Sequence, residues 1–102
     1  INDGSIPNLP KDACVEIPVF ADKDGIHKTI VGELPAHLAI LVSTTAQIEN
    51  LVVRAAMTKS RADVYHAVMM DPLCSAVCSL QEIRNMCDLI FEKNTDYLGD
   101  YK

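Results

Sequence analysis

The sequence predicts an α+β fold, an N-terminal β-hairpin followed by three or four helices, with strands and helices segregated along the chain rather than alternating. Three observations carry this. Residues 13–31 hold two short β-branched, partly alternating runs around a turn; from Pro35 the apolar spacing changes to three and four; and serine-led capping signals punctuate the second half. The 49% hydrophobic content of 102 residues is enough for one small core without help from disulfides or metals.

The opening stretch, INDGSIPNLP, has the turn chemistry of a linker entering a domain. With Ile1 rather than Met in first place, residues 1–102 read as a single domain or fragment from the C-terminal part of a longer protein. Residues 1–33 would form the linker and hairpin, and residues 34–98 the helical region. The two strands are predicted at Ala13–Phe20 and Ile26–Val31, with Asp22-Lys23-Asp24-Gly25 as the turn between them. Pro18 cannot donate to a ladder, so the first strand should lie at an edge or be interrupted there.

A long helix follows, with Pro35 suited to its first turn and Leu38, Leu41, Val42, Ile48, Leu51, Val52, Ala55 and Ala56 at helical spacing. Ser43-Thr44-Thr45 interrupts this stripe and is a candidate bend. Ser60-Arg61-Ala62-Asp63 reads as the start of a second helix carrying Val64, Tyr65, Val68 and Met69, and Asp71-Pro72 as its stop. Ser79-Leu80-Gln81-Glu82 is a full capping box, placing Ile83, Met86, Cys87, Ile90 and Phe91 on one face of a last helix. Leu73–Cys78 should be a helical turn wedged before it.

Nine Lys and Arg against fourteen Asp and Glu give a net charge of −5, with the basic residues scattered, which argues against a nucleic-acid partner. The longest uninterrupted apolar run, Leu38–Val42, falls far short of the roughly 20 residues that span a bilayer, so no membrane partner is expected. Cys14, Cys74, Cys78 and Cys87 form no C-x-x-C pair and have no histidine at zinc-finger distance. They read as buried, reduced thiols and hence a cytoplasmic setting.

A series of short motifs runs in order through the chain: Asn2-x-Gly4-x-Ile6-x-Asn8-Leu9-Pro10, Val15-Glu16-Ile17-Pro18, Gly25-Ile26, Gly32-Glu33-Leu34-Pro35, Glu49-x-Leu51, Ala55-Ala56 and Ala67-Val68-Met69-Met70-Asp71-Pro72-Leu73. From about Asn2 to Ile90 this series resembles the C-terminal end of glycoside hydrolase family 4, whose members include α-galactosidases, α-glucosidases and phosphoglycosidases. The resemblance implies the C-terminal part of a lactate/malate dehydrogenase-like fold that closes the active site and joins subunits. Its expected partners are the protein's own N-terminal Rossmann domain and further subunits in a homo-oligomer. It also implies NAD and manganese for the parent enzyme, none of it bound by this chain. The parent would oxidise the sugar at C3, remove the acidified C2 proton, eliminate the aglycone and reverse the steps with water; the NAD-dependent family stands outside the two-carboxylate scheme. No G-x-G-x-x-G cradle occurs here, and no catalytic residue of the family maps onto this segment. Arg54 stands where members more often carry an acidic residue, and Lys59-Ser60 where Gly-Asp is common, which leaves the sugar open.

Asn2 and Gly4, together with Asn8, are the candidate substrate-pocket residues, with tight turns as the competing reading, since Asn and Gly tolerate positive φ. Glu16 is either an inward carboxylate or the solvated side of a strand. His27, His37 and His66 sit in separate elements and read as surface or packing residues. Met57, Met69, Met70 and Met86 read as core filler. The apolar faces of the first and last helices would cover the Rossmann domain or another subunit, and would leave a patch prone to self-association if cut away from it. Two rival readings are a free-standing helical interaction module and the C-terminal domain of a lactate/malate-type dehydrogenase.

Overall fold

The first thirteen residues fold back as a series of turns, because Asp3 and Gly4 both take positive φ, 48° and 91°. A short polar residue tolerates such values and glycine adopts them freely. The computed structural model describes every residue, Ile1–Lys102, in two units, Ile1–Gln47 and Ile48–Lys102. In the first unit the Asn2 and Asp3 amides donate to the Ala13 and Lys11 carbonyls, each at 2.8 Å, and close the loop. Ile6 and Leu9 are buried there with Ala39, and Val15, Ile17 and Leu34 pack against them.

The predicted hairpin exists but is shorter and displaced. Strand β1, Val19–Asp22, pairs antiparallel with β2, Gly25–Lys28, from Val19 opposite Lys28 to Asp22 opposite Gly25. Val15 and Ile17 are half-buried while Cys14 and Glu16 are exposed, so the alternation in residues 13–17 is real. It reports a buried face and not a ladder. Pro18 has no N–H to give, and the pairing closes beside it, where the Thr29 amide and hydroxyl donate to its carbonyl at 3.3 and 2.6 Å.

Helix α1, Ala36–Thr58, begins just after Pro35, whose carbonyl accepts from the Leu38 and Ala39 amides at 2.9 Å. The proline thus caps the helix from outside its first turn. The Ser43-Thr44-Thr45 tract does not break it, because the Thr44 hydroxyl donates to the Ile40 carbonyl at 2.9 Å within the helix. The predicted stripe needs correction in the first unit: Ala39 and Ala46 are buried there, whereas Leu38, Leu41 and Val42 are exposed.

In the second unit α1 buries Ala55, with Ile48 and Leu51 half-buried, as the periodicity predicts; Val52 and Ala56 stay exposed. It ends in a left-handed residue, Lys59 at φ 56°, after which the Ser60 amide returns to the Ala55 carbonyl at 3.3 Å, the closure of a Schellman turn. Helix α2, Arg61–Met70, is capped by the Ser60 hydroxyl accepting from the Asp63 amide. Asp71 stops α2 and caps α3, Pro72–Val77, by accepting from the Cys74 amide at 2.8 Å. Helix α4, Leu80–Lys93, carries the predicted capping box, and a four-residue helix α5, Thr95–Leu98, follows it. Helices α2 and α4 pack together and bury Ala67, Ile83, Cys87 and Phe91. Burying Ile83 and Phe91 stabilises this unit by roughly 2 kcal/mol each.

Candidate functional site

Each polar atom of the Asn2 side chain is engaged inside its own loop. Its Nδ2 donates to the carbonyls of Ile6, Pro10 and, more weakly, Leu9 at 3.0, 3.0 and 3.3 Å, and its Oδ1 accepts from the Ile6 amide at 2.8 Å. The residue is 0% exposed, as expected of a buried amide that is fully partnered. Asn8 reaches across to the segment before α1, donating to the Leu34 carbonyl at 2.7 Å and accepting from the Leu34 amide at 2.9 Å. Gly4 supplies the positive φ of the first turn. The three candidates therefore converge on one loop, where the two asparagines fix its backbone. The Asn2 amide is used up within its own loop, while the half-buried Asn8 makes one bond through each polar atom, both to Leu34.

The histidines stay apart. His27 Nε2 lies 2.9 Å from Asp22 Oδ1 on the hairpin, and that contact, with the Asp24 amide, holds the Asp22 carboxyl below its ordinary range. No group of three or more His, Cys, Asp and Glu side chains lies together as a metal site needs. Gly4, Gly25, Gly32 and Gly99 are spread along the chain, Gly25 opening β2, rather than gathered in one phosphate-cradling loop. All four cysteines are free, but only Cys87 is buried; Cys14 is exposed and Cys74 and Cys78 are half-buried, which corrects the expectation of four buried thiols. The hydrogen bond to Asp71 raises the Cys74 pKa, and burial raises that of Cys87, so neither is primed as a thiolate.

The chemistry the chain offers is apolar surface. Leu38, Ile40, Leu41, Val42, Val52, Val53 and Met57 are all exposed on α1, with Ile40 at 70%, Val53 at 60% and Met57 at 81%. A helix that is apolar on nearly every side belongs in the interior of something larger. By length and composition α1 could also cross a membrane, which the run-length criterion missed because isolated polar residues divide its apolar positions. Met57, Met70 and Met86 are exposed and Met69 half-buried, so the methionines do not fill the core as expected. Sequence periodicity passed over Ile40, Val53 and Met57; the signal that finds them is apolar content off the main stripe.

The second unit holds a cleft of about 160 Å³ lined by apolar side chains of α2, α4 and the residues after them, among them Val64, Val68, Met86, Phe91, Leu98 and Tyr101. Around it, rings and cations stack. Arg61 lies 4.6 Å over Phe91, Lys59 4.9 Å over Tyr101 and Arg84 5.4 Å over Tyr65. The Tyr65 hydroxyl donates to Asp88, which raises its pKa. Two ion pairs lie in the same unit. Arg54 donates to both oxygens of Asp63, lowering that carboxyl's pKa, and Lys59 lies 3.5 Å from Asp100.

Comparison with known proteins adds the context. The family model described as the family 4 glycosyl hydrolase C-terminal domain matches residues 1–74. An α-galactosidase of Bacillus subtilis is 40% identical over 102 residues, which is all of this chain and 24% of that protein. An α-galactosidase of Rhizobium meliloti is 33% identical over 98% of this chain and 20% of its own length. A crystal structure of a 6-phospho-α-glucosidase from gut microorganisms, in complex with NAD and glucose-6-phosphate, matches with a TM-score of 0.81 at 30% identity. That match covers 94% of this chain and 22% of the other. The chain thus spans between a fifth and a quarter of these relatives.

Proposed function

Since the chain belongs to the family 4 glycosyl hydrolase C-terminal domain, we propose that it serves as the C-terminal domain of an NAD- and manganese-dependent glycosidase, hydrolysing O-glycosyl bonds by oxidation and elimination. Its own part is non-catalytic. The cofactors and the reacting groups belong to the remainder of the enzyme, and this domain completes the substrate pocket and holds the oligomer together. One observation carries the reading: seven large apolar side chains stand exposed on α1, four in the first unit and three in the second, apolar surface suited to cover a Rossmann domain or a second subunit.

Asn2, Gly4 and Asn8 enter this proposal as a frame. By fixing the loop backbone they would set the edge of the sugar pocket without touching the sugar through their amides. An α-galactoside is the first substrate to try, a choice supported by the 40% identity to a protein of that name. Four unpaired thiols support a reducing, cytoplasmic setting.

The test is turnover of aryl α- and β-glycosides by the full-length protein, with and without NAD, manganese and reductant. Turnover that requires NAD, and that is lost when residues 1–102 are removed, is the expected result. Full activity without this segment would overturn the assigned role. Calorimetry on the 102-residue chain alone should give no heat of NAD binding; a measurable affinity would place part of the cofactor site here.

A further inference from the structure

The strained residue at the α1–α2 junction is held by the chain's last four residues. Lys59 takes φ 56°, a left-handed conformation that costs a side-chain-bearing residue and costs glycine nothing. Residues 99–102 contact Lys59 in three ways. The Lys102 amide donates to the Lys59 carbonyl at 2.8 Å, Asp100 lies 3.5 Å from the Lys59 ammonium, and that ammonium lies 4.9 Å over the Tyr101 ring. The next residue but one is stitched as well, the Arg61 amide donating to the Lys102 carbonyl at 2.8 Å.

We propose that Gly99–Lys102 is a strap that holds the α1–α2 junction in its left-handed form and, by the same contacts, keeps the apolar cleft closed on one side. Tyr101 joins the two ends of this device. One face of its ring chemistry engages Lys59, and its ring lies 5.7 Å from that of Phe91, which is 4% exposed. With the strap in place, α1 ends in a Schellman turn and Leu98 and Tyr101 wall the cleft. When the strap lifts, Lys59 relaxes out of the left-handed region, the Ser60 amide loses the Ala55 carbonyl, the last turn of α1 frays, and the Phe91 ring is uncovered. Order in the strap is thereby coupled to order at the end of α1, through residues that all lie in one unit.

Residue-resolved hydrogen exchange on the full chain tests it, read at the Ser60 amide. In the parent, Tyr101→Ala should speed exchange there by about tenfold, the size of a left-handed penalty for one residue. Tyr101→Phe, which keeps the ring, should leave exchange near the parent rate and guards against general loss of the fold. In a Lys59→Gly background the Tyr101→Ala change should speed exchange by less than about threefold, because glycine holds the turn unaided. Lys59→Ala separates strain from lost contacts, since it removes the ammonium and keeps the penalty: it should open the junction, whereas Lys59→Gly should not. Equal opening by Lys59→Ala and Lys59→Gly, or no response at Ser60 to Tyr101→Ala in the parent, would overturn the strap.

Discussion

Asn2 illustrates how far a single residue can be read before the fold is known. Its place at the head of a motif marks it as important, but nothing in the sequence says that the carbonyls of Ile6, Leu9 and Pro10 will converge on its amide. Those partners lie four to eight residues away, and their directions depend on a positive φ at Asp3 and Gly4. The residue is fully buried, so its loss is a question of unsatisfied groups rather than of lost contact area. Asn2→Ala would strand the Ile6 amide and several carbonyls without water, at a cost of about 3 kcal/mol. Urea denaturation of the variant against the parent measures this, and a difference under about 1 kcal/mol would mean that water or relaxation replaces the amide. Lys59 makes the complementary point. The sequence shows an ordinary lysine, and only the structure reveals that its backbone is left-handed, at φ 56°.

At the scale of elements, what was legible follows from whether a signal is local. Helix starts are local, since a capping residue and its partner lie within one turn, and Ser60 and Ser79 both cap as their sequences predict. Strand limits are not local, because alternation at Val15 and Ile17 describes burial while pairing is decided by donors on another segment. The capping box also sets an acid limit on α4. Ser79 donates to Glu82 through its amide at 2.8 Å and its hydroxyl at 2.7 Å, and these bonds lower the Glu82 pKa from 4.5. A carboxyl whose folded pKa is depressed contributes stability above its unfolded value and loses it as pH falls through the folded value. The start of α4 should therefore fray as pH drops below 4.5, with the Asp63 and Asp71 contacts failing as pH falls below 3.8. Exchange at the Ile83 amide, which donates to the Ser79 carbonyl, follows the first step. Protection that holds unchanged from pH 7 to 3 would show that the box contributes nothing. At neutral pH, Ser79→Ala should cost about 1 kcal/mol by removing the cap.

For the whole molecule, membership of the family was legible because order and spacing of short motifs survive where any one motif is weak, and the matched region, residues 1–74, contains all of them. The use of the surface was not legible. Periodicity identifies apolar positions on α1 but cannot say which are covered inside the chain and which await something else; alanines took the inner places at 39, 46 and 55. This distinction makes the docking proposal testable. Ile40, Val53 and Met57 can be replaced with little disturbance of the chain's own packing, since each is at least 60% exposed. Changing all three to serine should alter stability of the 102-residue chain by no more than about 1 kcal/mol, as surface substitutions do. It should also reduce the chain's self-association in light scattering, because the apolar patch is smaller. In the full-length protein the same three changes should lower glycosidase turnover at least about tenfold, the effect of losing about 1.4 kcal/mol from the docked arrangement. Sedimentation read beside activity distinguishes the two covers: loss of turnover with the oligomer intact places α1 against the enzyme's own nucleotide domain, and loss of both places it between subunits. Unchanged turnover and unchanged mass would leave α1 exposed in the working enzyme, and the role assigned to this domain would have to rest on another surface.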